Sequence, residues 1–110
     1  MESLSAVLLL KSLDGLSARQ AVTAQNIANA GTSGYRPLRV TFETALAQAA
    51  SRGPDAVREV EPKIAFSGAT DLRLDLEMAT AASTSMRYAA LIEVLDRQMQ
   101  LNSLAVTGGR

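Results

Sequence analysis

Residues 74–106 read LDLEMATAASTSMRYAALIEVLDRQMQLNSLAV, and within them Leu74, Met78, Ala81, Ser85, Tyr88, Ile92, Leu95, Met99, Asn102 and Val106 recur at steps of 4 and 3 in strict alternation. Side chains spaced this way stay on one face of an α-helix, so the spacing predicts a helix over about 75–105 with a heptad seam. Asp75 can cap its start, Glu77 sits in its positive first turn, and Gly108-Gly109 lets the end fray. Met78 denies Asp75 a full capping box.

A second helix is predicted over about 3–29. Ala6, Leu9, Leu13, Leu16, Gln20, Thr23 and Ile27 form one stripe, and Val7, Leu10, Ala21, Ala24 and Ala28 widen it. Gly15 interrupts the pattern at about 1 kcal/mol relative to Ala. Asn29 with Gly31 is expected to supply a left-handed stop. The 110-residue chain is 47% apolar, and Ala (19) and Leu (15) dominate that share, which is helix-former composition.

Between the arms the composition changes. Residues 51–75 hold nine charged side chains in half the length over which residues 1–50 hold seven, and Gly53, Pro54, Pro62 and Gly68 break helices and long strands. This reads as a mobile polar middle, 51–74, with at most a short strand near Val57–Val60 or Ile64–Phe66. The expected organisation is an arm over 1–50, the middle segment, and an arm over 75–110, with both arms forming one structural domain.

Length decides the architecture. Helices of about 26 and 30 residues are about 39 and 45 Å long, whereas a compact chain of this size has a radius of gyration near 13 Å. The expected fold is all-α, with the two long helices paired as an antiparallel coiled-coil-like hairpin around an irregular middle. Such a pair leaves apolar width uncovered, including Leu8, Leu91, Val94 and Leu101, and that surface requires neighbours. The alternative is that Phe42, Leu46, Ile64 and Phe66 fold back over it.

Chemistry is limited by inventory. Eleven Lys and Arg balance eleven Asp and Glu, so no whole-chain field selects a polyanion or an acidic membrane. There is no Cys and no His, which removes Ser-His and Cys-His dyads, thiol nucleophiles and the usual zinc and iron–sulfur ligands. No catalytic residue, cofactor, metal or small-molecule substrate is expected. Asp71, Asp75 and Glu77 are explained by a helix start, and Arg19, Arg87 and Arg97 by solvation, with Glu93–Arg97 an i,i+4 pair. The first residues carry an acid where a secretory signal needs bases, and Ala6–Leu10 is too short an apolar run for one.

The most specific local string is Asn26-Ile27-Ala28-Asn29-Ala30-Gly31-Thr32-Ser33-Gly34-Tyr35-Arg36-Pro37. It packs turn formers around one aromatic: Gly31 and Gly34 tolerate positive φ, Tyr35 can lie on the helix it has just left, and Pro37 forces Arg36 to be extended. A strand-like step and a short helix are expected over roughly 40–51.

Asn-Ile-Ala-Asn followed by a Thr-x-Gly-Tyr turn resembles the signature of the bacterial flagellar rod and hook axial proteins. The continuation Tyr35-Arg36-Pro37-Leu38-Arg39-Val40-Thr41-Phe42-Glu43 and the entry Leu72-Arg73-Leu74-Asp75-Leu76-Glu77-Met78 resemble that family's small proximal-rod members. The resemblance spans roughly 1–48 and 70–107. It maps family positions onto Asn26, Ile27, Asn29, Thr32, Gly34 and Tyr35 in the turn, and onto Asp75, Glu77, Met78 and Tyr88 in the second arm. Ser33 stands where the family usually has Pro, which loosens the turn by about 0.4–1 kcal/mol.

The resemblance implies a structural subunit of the basal-body rod. Its terminal helices would stack with copies of itself and with other rod subunits, through a packing seam of Leu9, Leu13, Leu16, Ile27, Met78, Tyr88, Ile92, Leu95 and Met99. It also implies contact with the basal-body ring and rod junction protein, and export to the periplasmic rod by the flagellar type III apparatus without a Sec signal. Two other readings compete: a helix-turn-helix DNA binder, weakened because 40–50 offers no basic side chain, and a secreted two-helix hairpin, weakened by the absence of Trp. No nucleic-acid partner is expected.

Overall fold

A computed structural model of the chain describes residues 3–108. The order is α1 (Leu4–Ala28), β1 (Leu38–Thr41), α2 (Glu43–Ala50), α3 (Pro54–Arg58), β2 (Lys63–Phe66) and α4 (Leu74–Gly108). Ser3 caps α1, its hydroxyl accepting from the Ala6 N–H at 3.2 Å. At the other end the Asn29 N–H reaches the Gln25 and Asn26 carbonyls at 3.1 and 3.2 Å. The expected left-handed stop is not used: Asn29 has φ −103°, and positive φ occurs at Gly34, Gly53 and Gly68 but not at Gly31. Asn29 closes the helix instead through its side chain, Nδ2 donating to the Gln25 carbonyl at 2.9 Å. At α4, Asp75 lies inside the first turn and pairs with Arg73, so it does not cap from outside. The expected fraying at Gly108-Gly109 lies partly outside the described residues.

α1 and α4 pack side by side and run antiparallel. Their ends are pinned by polar contacts, Asn26 Nδ2 to Glu77 Oε2 at 3.1 Å at one end and Gln98 Nε2 to Ser5 Oγ at 2.9 Å at the other. Residues 99–108 run on for about 15 Å beyond the second contact. The molecule measures 64 × 26 × 13 Å with a radius of gyration of 17.2 Å, well above the globular value, as the helix lengths require.

The middle is more ordered than its composition suggests. Residues 54–58 form α3 and 63–66 form β2, which pairs antiparallel with β1 in the register Leu38↔Phe66 to Thr41↔Lys63. The strand therefore falls at Ile64–Phe66, whereas Val57–Val60 belongs to a helical turn and its end. Pro54 suits the first helical position because its missing N–H would have no partner there. Val57 is completely buried.

The core joins Val7, Leu16 and Val22 of α1 to Val40, Phe42, Leu46, Ala49 and Val57. Phe42 and Leu46 fold back onto α1, while Ile64 and Phe66 stay exposed. The long helix therefore buries two flanks. The flank toward the middle runs through Val7, Gly15, Val22 and Asn26, whereas Leu10, Gln20, Ala21, Ala24 and Ala28, expected on its apolar faces, are exposed. Leu8 and Leu91, expected to face outward, pack against this core; Val94 and Leu101 do face out.

Candidate functional site

Asn26 organises the turn. Its side chain is 1% exposed and uses all four of its hydrogen-bonding positions. Oδ1 accepts from the Tyr35 hydroxyl at 2.8 Å and from the Leu38 N–H at 3.0 Å; Nδ2 donates to the Leu38 carbonyl at 2.9 Å and to Glu77 at 3.1 Å. Toward Leu38 the amide acts as a neighbouring strand would, meeting both its N–H and its C=O. One side chain thus ties α1 to the turn, to β1 and to the first turn of α4.

The other motif residues shape the path between. Thr32 donates from Oγ1 to Asn29 Oδ1 at 3.1 Å and from its N–H to the Asn29 carbonyl at 2.9 Å. The Thr32 carbonyl then accepts from the Tyr35 N–H at 3.2 Å. Gly34 has φ +77°, a conformation that penalises any side chain. Ile27 is half-buried and Ser33 exposed.

Below the turn, Arg19 holds Glu43 with both arms, NH1 to Oε2 at 2.6 Å and NH2 to Oε1 at 2.8 Å, and NH2 also donates to the Val40 carbonyl at 2.8 Å. The guanidinium lies 4.9 Å from the centre of the Phe42 ring. This corrects the expectation of a solvated Arg19. Hydrogen bonds from Arg19 are the main reason that the Glu43 carboxyl is lowered to about 2. Arg97 pairs with Glu93 at 3.4 Å as its spacing predicts.

The third feature is a mismatch between two stripes of α4. Contact with the rest of the chain uses Glu77, Thr80, Ala81, Thr84, Leu91, Leu95 and Gln98, the α4 positions that are not exposed. This set also lies along one flank of the helix, but it is rotated from the more apolar stripe read from the sequence, sharing Ala81 and Leu95 with it. Much of the apolar stripe is left in solvent: Met78 is 58% and Met99 60% exposed, with Leu74 and Val106 also open, whereas Ile92 at 39% and Tyr88 at 38% are partly covered, Tyr88 lining a cleft with Leu16 and Gln20 of α1. On α1, Leu13 and Leu16 are buried within the chain, and Leu9 and Ile27 are half-buried. The structure thus brings Asn26, Asn29, Thr32 and Tyr35 into one network and separates the seam residues into an internal group and an open one.

Residue spacing could not reveal the Arg19–Glu43 clamp or the Asn26–Glu77 link, which depend on how the middle folds. The one available signal was Asn26 itself, a polar residue one turn after Val22 on a buried stripe. α2 exposes Glu43, Thr44, Ala45, Ala47 and Gln48, with no cation among them. Among the described residues no helix is long and apolar enough to cross a membrane.

Residues 13–36, from the middle of α1 through Arg36, match the family model described as flagella basal body rod protein. That stretch contains every residue of the turn network except its partners Leu38 and Glu77. No curated protein matches the chain. The match spans about a fifth of the chain, the latter part of α1 and the turn, and shows a likeness to that family there.

Proposed function

We propose that this chain is a proximal-rod subunit of the FlgB type, which polymerises through its two long helices into part of the shaft that transmits torque. The observation that carries this reading is the apolar stripe of α4 facing outward while a more polar stripe makes the internal contacts. A monomer selected to stand alone would bury the greasier face. Exposed area agrees in size: the chain presents 7381 Å², against roughly 5,800 Å² for a compact monomer of its mass. The excess, roughly 1,600 Å², is about twice what one partner buries in a standard protein interface, which leaves room for contacts on more than one face.

A subunit with open faces on an elongated body makes head-to-tail contacts, and such contacts generate open helical assemblies. Its partners in this reading are further copies of itself, other rod subunits and the ring and rod junction protein. It reaches the periplasmic rod through the flagellar type III export apparatus. The Asn26 network would hold the two helices in a fixed relation so that each subunit presents the same surface.

The test replaces the native chain in cells with the Met99→Asp variant, whose side chain touches little inside the monomer. Secretion of the variant with loss of swimming and of rods beyond the inner-membrane ring is expected. Normal swimming by these cells would overturn the reading.

A further inference from the structure

We infer that the outer edge of β2 is a docking edge for an extended, acidic segment of another protein, which would add to the β1–β2 ladder as a third strand. The Ser67 N–H donates to the Pro37 carbonyl at 3.0 Å. With the register fixed, Arg39↔Ala65 and Thr41↔Lys63 are then the hydrogen-bonded pairs, because an antiparallel ladder alternates. The N–H and C=O groups of Leu38, Val40, Ile64 and Phe66 consequently point away from the ladder.

The two edges are treated differently. On the β1 side, Asn26 takes both Leu38 groups and Arg19 takes the Val40 carbonyl, so that edge is closed. On the β2 side, among the described residues, nothing takes the backbone groups of Ile64 and Phe66, and their side chains are 53% and 57% exposed. An unpaired strand edge with apolar side chains is a template for strand addition.

Charge selects the occupant. Residues 35–41 and 62–70 carry Arg36, Arg39 and Lys63 and no acid, and the two carboxylates that line a cleft with Lys63, Glu43 and Glu61, are already paired with Arg19 and Lys11. Arg36 lies 4.0 Å over the Phe66 ring, beside the open edge. Arg39 and Lys63 share the opposite face of the ladder, since alternate residues face alternate sides. A second copy of this chain would set three cations against three. A strand with apolar residues on the Ile64 side and carboxylates toward Arg39 and Lys63 satisfies both faces. This inference is independent of rod assembly and is measured on the monomer.

The probe is the peptide acetyl-Thr-Glu-Val-Asp-Val-Glu-Thr-amide, with amide exchange followed residue by residue by NMR. At about 1 mM peptide, exchange at the Ile64 and Phe66 amides is expected to slow roughly tenfold, with little change at Ala65, which is already paired. The analogue with Lys at the acidic positions is expected to have no effect, and the Arg39→Glu, Lys63→Glu variant to reverse that preference. Unchanged exchange at Ile64 and Phe66, or equal slowing by both peptides, would overturn the inference. So would protection of these amides that appears without peptide and grows with protein concentration, which would make a second copy the occupant.

Discussion

The ring of Phe42 occupies the space that a side chain at residue 15 would need: a Cβ built on Gly15 falls 2.5 Å from three of its carbons. Glycine in mid-helix ordinarily costs about 1 kcal/mol against alanine, yet here it admits an aromatic from the middle segment into contact with the α1 backbone. Gly15→Ala is therefore expected to destabilise the chain by about 1–3 kcal/mol, the usual cost of overpacking, despite the better helix former. Urea unfolding followed by circular dichroism measures it. A variant as stable as the parent or more so would show that Phe42 does not need the gap.

Asn26 is the corresponding polar position. Asn26→Ala removes four hydrogen bonds at once and leaves the Leu38 N–H and C=O unsatisfied where water has little access, so a loss of about 3 kcal/mol is expected. Tyr35→Phe removes one of the four and leaves Asn26 Oδ1 with its bond from Leu38; about 1 kcal/mol is expected. The ratio of the two losses, read from urea midpoints at constant slope, distinguishes a network from a single anchor.

Much of this arrangement was legible in the sequence, and the part that was not has a definable cause. Spacing located both long helices because their apolar positions recur over many turns. Asn29 marked the end of α1, although it closes the helix through its side chain and not through a left-handed stop. Spacing could not say which stripe of α4 faces α1, because two stripes of the same period overlap at Ala81 and Leu95. Hydrophobicity favoured the wrong one, and the polar contacts of Glu77 and Gln98 selected the other. The middle was misjudged for a related reason: Pro54 and Gly53 interrupt long elements but suit the start of a short helix, and that helix places Val57 in the core.

Glu43 gives the fold a pH signature. Its carboxyl is lowered from 4.5 to about 2, mainly by hydrogen bonds from Arg19. The folded chain thus keeps a charge that the unfolded chain loses on acidification. The stabilisation is complete above about pH 5, declines as pH falls and is gone below about pH 2. The Glu43 side chain is about half exposed, so solvent screening limits the contribution to about 1 kcal/mol. Glu43→Gln is expected to lower stability by that amount at pH 7, with the two proteins converging toward pH 2. A difference that persisted unchanged into strong acid would assign the effect to packing.

Leu91 and Ile92 are neighbours in sequence on opposite accounts. Leu91 packs against the internal core, and Ile92 lies on the open stripe. Leu91→Asp places a carboxylate against Leu16 and Phe42, beside which it lines a cleft of about 280 Å³, and a loss of about 2–4 kcal/mol is expected. Ile92→Asp is expected to cost the monomer about 1 kcal/mol, less than Leu91→Asp because Ile92 is 39% exposed and lies outside the core, but to abolish assembly by putting a charge into the contact between subunits. Thermal unfolding of each purified variant, set beside sedimentation and swimming of cells that carry it, separates the two effects. Equal destabilisation of both monomers would mean that the apolar stripe is structural within the chain, and the outward face would no longer account for polymerisation.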